Sequence, residues 1–160
     1  MEKEVVTNSS SIIFLAKLNL FHLAKNIFSR VYIPKEVISE IFAKKTPEVE
    51  IIKKEMGSFI LELNTKKFLN IPVGLGEKSA ISLCVEKNIG VFISDDKKAR
   101  KFARSLGIET IGIIGIFLLN FKNNKISKKE AIDFLNKLIE AGYYLTSDLY
   151  KDIIQLINSS

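Results

Sequence analysis

The sequence predicts an α/β fold built on a parallel sheet, and three observations predict it. Short apolar runs alternate with stretches of helical periodicity over most of the chain. Each apolar run after the first follows a helical stretch, so parallel pairing through right-handed crossovers is the economical topology. Of 160 residues 47% are hydrophobic, with only 3 Pro and 8 Gly, which allows a real core and argues against a disordered chain. One domain is expected over 1–160, with an α/β core over 1–121 and a C-terminal helical hairpin over 122–160.

Residues 4–7 read as the first strand, closed by Asn8-Ser9-Ser10, residue types that suit a helix N-cap. Helical periodicity occupies 12–17 and 20–28. Val31-Tyr32-Ile33 is a second strand, and Pro34 suits the first position of a helix over 35–43. The charged stretch 44–56 predicts another helix, ended by Gly57. Residues 59–63 fit either a strand or an apolar anchor within a loop. Gly74-Leu75-Gly76 opens a helix over 77–87, ended at Asn88 or Gly90. Val91-Phe92-Ile93 is a buried strand that stops at Ser94-Asp95-Asp96. Residues 97–106 are helical, Gly107 closes them, and 110–113 form another strand. In the tail, Ser127 and Glu130 have the capping-box spacing, and Ile132, Leu135, Leu138 and Ile139 make one apolar stripe stopped by Gly142. Thr146 or Ser147 then caps a last helix carrying Leu149, Ile153, Ile154 and Ile157.

A net charge of +6 leans towards polyanionic partners. Lysine supplies 21 of the 24 cations, however, and solvated helix backs account for most of them. The longest apolar run, 111–119, is less than half of a membrane span, so no membrane association is expected. Glu2, Lys3 and Glu4 lead directly into the first strand, so the expectation is no secretory signal and a cytoplasmic protein. One cysteine forms no internal disulfide, and one Cys with one His builds no zinc site. His22 lies in an apolar helical stretch, poorly suited to activate a nucleophile, and Cys84 between Leu83 and Val85 reads as a small core residue. The segment 74–79 is not a phosphate-binding loop: Ile71 stands where its first glycine belongs, and Glu77 separates Gly76 from Lys78. Any chemistry falls to oxygen ligands.

In a parallel α/β sheet ligands bind at the C-terminal ends of the strands. That edge receives Asn8 after the first strand, the helix bearing Glu40 after the second, and Asp95-Asp96 after the strand 91–93. Glu77 opens a helix that could aim at the same place. Three or four carboxyl or carboxamide oxygens drawn from distant segments suit a hard divalent cation. Two carboxylates about 4 Å apart repel by roughly 4 kcal/mol at an effective dielectric of 20. A cluster therefore implies Mg²⁺ or Mn²⁺, or a raised pKa on one member. Singly, each residue has a plainer reading: Glu77 favoured by the helix dipole, Glu40 on a solvated face, Asp95-Asp96 as an N-cap. The argument rests on the order and spacing of all four.

Read together, these positions resemble the PIN-domain nucleases over nearly the whole chain. The stretch 5–10 is similar to that family's opening strand and first metal-ligand turn, and 33–41 to its second motif, with the acidic residue at Glu40. Leu75-Gly76-Glu77 is similar to the start of the third acidic helix, and Ile93-Ser94-Asp95-Asp96 to the fourth motif. Gly112 to Gly115, Ala141-Gly142-Tyr143 and Ser147-Asp148-Leu149-Tyr150 resemble a prokaryotic PIN subfamily often associated with toxin–antitoxin pairs. The resemblance implies a three-layer α/β/α sandwich with a central, mostly parallel sheet of four to five strands and a helical C-terminal tail. It implies a metal-dependent endoribonuclease and toxin, with Asn8, Glu40, Glu77 and Asp96 holding Mg²⁺ or Mn²⁺ and Asp95 joining Glu40, Glu77 and Asp96 in catalysis. Lys97, Lys98 and Arg100 are the implied RNA contacts, an antitoxin protein the implied partner, and a homodimer the implied assembly. Two positions depart from the pattern: the first ligand, usually Asp, is Asn8, and Ser11 stands where Pro is frequent. The missing charge at Asn8 points to the alternative of a weak or inactive PIN-fold module that binds nucleic acid or protein.

Overall fold

The computed structural model describes residues 3–160, and Glu2 of the charged start lies outside the described residues. Five strands, β1 (Glu4–Thr7), β2 (Arg30–Ile33), β3 (Ile60–Glu62), β4 (Val91–Ile93) and β5 (Glu109–Ile111), form one sheet in the order β3-β2-β1-β4-β5. Every pairing is parallel. Strand alternation sorts the core into two layers. Val5, Val31, Ile33 and Ile93 face one side, while Val6 and Phe92 face the other. Helices α1 (Ser9–Lys17), α2 (Phe21–Lys25), α3 (Lys35–Phe42) and α4 (Pro47–Glu55) contribute to the first layer. They are joined there by α7 (Ile113–Lys122), α8 (Lys128–Glu140) and α9 (Ser147–Asn158). Helices α5 (Leu75–Lys87) and α6 (Lys97–Ser105) cover the second. The result is the three-layer sandwich, with both faces of the sheet covered, as parallel sheets require.

Several boundaries differ from the sequence expectation, and capping chemistry explains most of them. Helix α1 starts at Ser9, ahead of the apolar periodicity, because Asn8 caps it by accepting the Ser11 N–H at 3.1 Å. Pro34 stands just outside α3 as its N-cap, in extended backbone, and Pro47 takes the opening position of α4. The stretch 59–63 resolves as β3, an edge strand paired with β2. Asn88 ends α5 in the left-handed region at φ 55°, so the stop falls before Gly90. Strand β5 ends at Ile111 because Gly112 caps α7, which takes up the rest of the apolar run. Buried Asn120 ties α7 to α2 by donating to the Leu23 carbonyl at 3.0 Å. The capping box of α8 forms in both directions, and Thr146 caps α9.

This topology decides what meets at the functional edge. The central strands β1 and β4 end side by side, with Thr7 opposite Ile93, and the Asn8 N–H continues the ladder to the Ile93 carbonyl at 3.2 Å. Segments nearly ninety positions apart in the chain are thus fixed against each other by main-chain bonds.

Candidate active site

Asn8 is buried at the end of β1, and its Nδ2 donates to Ser94 Oγ at 3.1 Å across the strand ends. Glu40, near the end of α3, accepts a hydrogen bond from Ser9 Oγ at 2.9 Å. Its carboxylate lies against the first turn of α5: a Cβ on Gly76 would stand 2.6 Å from Glu40 Oε1. Absence of a side chain at Gly76 therefore lets α5 bring Glu77 beside Glu40. Asp96 is the N-cap of α6, with Oδ1 accepting the Ala99 N–H at 2.7 Å. It lines a small recess of about 240 Å³ with Glu77, Gly74 and Lys98.

Glu77 is the half-buried centre of this group. Burial holds its carboxyl above the ordinary value, and the charges of Asp96 and Glu40 push in the same direction. Its own N–H and the Asn8 carboxamide pull the other way. The structure thus brings Asn8, Glu40 and Asp96 each within electrostatic reach of Glu77. Among the described residues, none of the three carboxylates has an ion-paired Lys or Arg. An oxygen-only donor set without a countercharge fits a hard divalent cation. As they stand, no three acidic, His or Cys side chains among the described residues form a group that could hold an ion, so a cation would have to draw these ligands in.

Asp95 faces elsewhere. Its Oδ2 accepts from Ser11 Oγ at 2.8 Å, and Oδ1 accepts both the Ile113 N–H at 3.1 Å and the Tyr143 hydroxyl at 2.7 Å. One carboxylate therefore clasps α1, the N-terminus of α7 and the turn between α8 and α9. The Tyr143 hydroxyl is raised well above its ordinary pKa by burial and by the Asp95 charge, so it stays a donor. The two adjacent aspartates serve different neighbourhoods.

The cations divide as well. Lys98 borders the acidic recess, whereas Lys97 and Arg100 line a separate cleft beside Asp95 and the Tyr143-Tyr144 turn. Sequence reasoning missed Lys101 and Arg104, which line that cleft too, although their spacing from Lys97 was readable as one helical face. It also gave no role to Ser9 and Ser94, whose hydroxyls reach Glu40 and Asn8 only through the tertiary fold, nor to the hydroxyl of Tyr143, although Ala141-Gly142-Tyr143 stood out as a motif.

A family model for the PIN domain (DUF3368) matches residues 4–159. Among solved structures, a PilT N-terminus domain protein from the hyperthermophilic archaeon Sulfolobus solfataricus P2 aligns with a TM-score of 0.55 and 19% identity, over 71% of this chain and 89% of that one. That similarity is one of fold. No curated protein matches the chain by sequence.

Proposed function

Because the chain belongs to the PIN-domain family, we propose that it hydrolyses RNA phosphodiester bonds with Mg²⁺ or Mn²⁺ and serves as the toxin of a toxin–antitoxin pair. PIN domains are in general metal-dependent nucleases, and the finer reading rests on this chain's own residues. The observation that carries it is the unpaired carboxylate group Glu40, Glu77 and Asp96, delivered by three different crossovers to one corner. These residues and the Asn8 carbonyl would hold the cation. Once bound, the cation supplies an activated water and offsets charge at the reacting phosphoryl group. Ser9 and the Ala99 N–H orient Glu40 and Asp96, while the Asn8 carboxamide favours the charged form of Glu77. Lys98, at the rim of the recess, attracts the phosphate without neutralising the acids.

An RNA cleavage assay with and without Mg²⁺ tests this reading, with Asp96→Asn as the variant. Asparagine caps a helix as well as aspartate does, so α6 should remain folded. Cleavage should fall by more than about a hundredfold, beyond what perturbing a ligand's surroundings costs. Apo melting temperature should stay level or rise as repulsion is relieved. Unfolding of the variant would make Asp96 chiefly structural. Absence of Mn²⁺ binding at millimolar concentration in calorimetry would sink the enzyme reading. It would favour instead a binding module, the alternative supported by the neutral Asn8.

The same proposal extends to assembly. An apolar groove of about 890 Å³, lined by Leu118, Leu119, Phe121, Ile126 and Leu156 among others, supports a two-fold dimer through α7 and the C-terminal helices. An antitoxin would place a basic side chain in the acidic recess.

A further inference from the structure

Helix α6 leaves the acidic corner with Lys97, Arg100, Lys101 and Arg104 along one face, while Ala99 and Ala103 pack the other onto the sheet. The cationic face forms one wall of a cleft of about 820 Å³. Tyr143, Tyr144 and the start of α9 form the opposite wall. Among the described residues none of the four cations is ion-paired; the Arg100 guanidinium donates to the Ser94 carbonyl at 3.4 Å. Tyr144 is 84% exposed. Its neighbour Tyr143 is pinned by Asp95 and by an edge contact with Phe14 at 5.8 Å, so Tyr144 projects from a fixed pivot. Because Asp96 caps the same helix, the cleft begins one residue from the acidic corner.

We infer that this cleft seats a single-stranded flank of the RNA, with Tyr144 stacked on an unpaired base and Lys101 and Arg104 holding its phosphates. The inference rests on the nuclease reading above and deepens it. Residues 97–104 span about 10 Å along the helix axis, a repeated row of positive charge suited to a repeated row of phosphates. An acidic peptide would satisfy the cations but has no use for a bare ring. A duplex offers no free base face for stacking. Cationic groove and exposed aromatic together are the combination that single strands require.

The test is fluorescence anisotropy of an end-labelled oligouridylate with the full chain, in EDTA so that binding is separated from cleavage. Wild-type protein should bind the single strand in preference to the same length of duplex. Tyr144→Ala should weaken binding about 5–150-fold with an unchanged melting temperature, and Tyr144→Phe should restore it. The Lys101→Ala/Arg104→Ala double variant should lower the salt-dependence slope by about 1.4. Lys54→Ala, on α4 outside the cleft, should bind as wild type does. Unchanged affinity in Tyr144→Ala, a preference for duplex, or competition by polyglutamate as strong as by RNA overturns the inference, the last in favour of an acidic protein. Metal-dependent cleavage without this binding pattern defeats the cleft alone. The binding pattern without cleavage supports the cleft and defeats the nuclease reading.

Discussion

At position 8 the carboxamide is used at both ends, Oδ1 on the Ser11 N–H and Nδ2 on Ser94 Oγ. A carboxylate there keeps the first bond, loses the second donor and adds a charge beside Glu77. Asn8→Asp is therefore expected to raise Mn²⁺ affinity and lower apo stability by about 1–3 kcal/mol, read by calorimetry and by melting without metal. Equal affinity and melting in both proteins would leave Asn8 as a cap only. Glu77 gives a pH signature. Its folded-state value lies above the ordinary 4.5, so the folded protein takes up this proton more readily than the unfolded chain. Stability of the apo protein should rise as pH falls through the folded value towards 4.5, and Glu77→Gln should remove that component. Asp95→Ala should cost about 3 kcal/mol in urea unfolding, since it strands three donors, in contrast to the mild effect expected of Asp96→Asn. The sequence marked both aspartates but could not separate them. Adjacent loop residues point apart, and here Ser11, Ile113 and Tyr143 determine which one is clasped.

Helix starts build the functional edge, and two glycines show how. At Gly76 an added Cβ meets the far end of the flexible Glu40 side chain, held there by one exposed hydroxyl, so the carboxylate can swing aside. Gly76→Ala should therefore leave apo stability level, or gain up to about 1 kcal/mol from helix propensity, while metal affinity drops about tenfold. At Gly112 the added Cβ would stand 2.5 Å from Asp95 Oδ1, an atom already held by two donors, with Arg100 Nη1 at 3.0 Å. Gly112→Ala should cost about 1–3 kcal/mol as overpacking at a site that cannot yield. Elements were legible where periodicity and a cap coincided, as at Ser127, or where an apolar run ended on polar residues, as at Val91–Ile93. They blurred where a side chain overrode the pattern. Asn8 starts α1 before its apolar stripe does, and the run 111–119 has no polar break to mark where β5 gives way to α7.

Across the whole molecule, Cys84 reports on global integrity. Burial pushes its thiol up to about 12, so iodoacetamide at pH 8 should leave the native protein unlabelled and react only after unfolding. Assembly is read by sedimentation: an 18.1 kDa species at tens of micromolar would count against the dimer. No helix of the described residues is long and apolar enough to cross a membrane. The order β3-β2-β1-β4-β5 puts the earliest of these five strands in the chain at the centre of the sheet. Asn8 meets Ser94 across 86 positions of chain. At about 5–20 residues per second, a ribosome takes roughly 4–17 s to cover that distance. Tyr143, which closes the Asp95 clasp, emerges later still. A nascent chain therefore holds Asn8 and Glu40 long before it holds Asp96. The acidic corner cannot assemble until position 96 has left the ribosome, so a chain stalled before that point carries Asn8 and Glu40 with no Asp96 to join them.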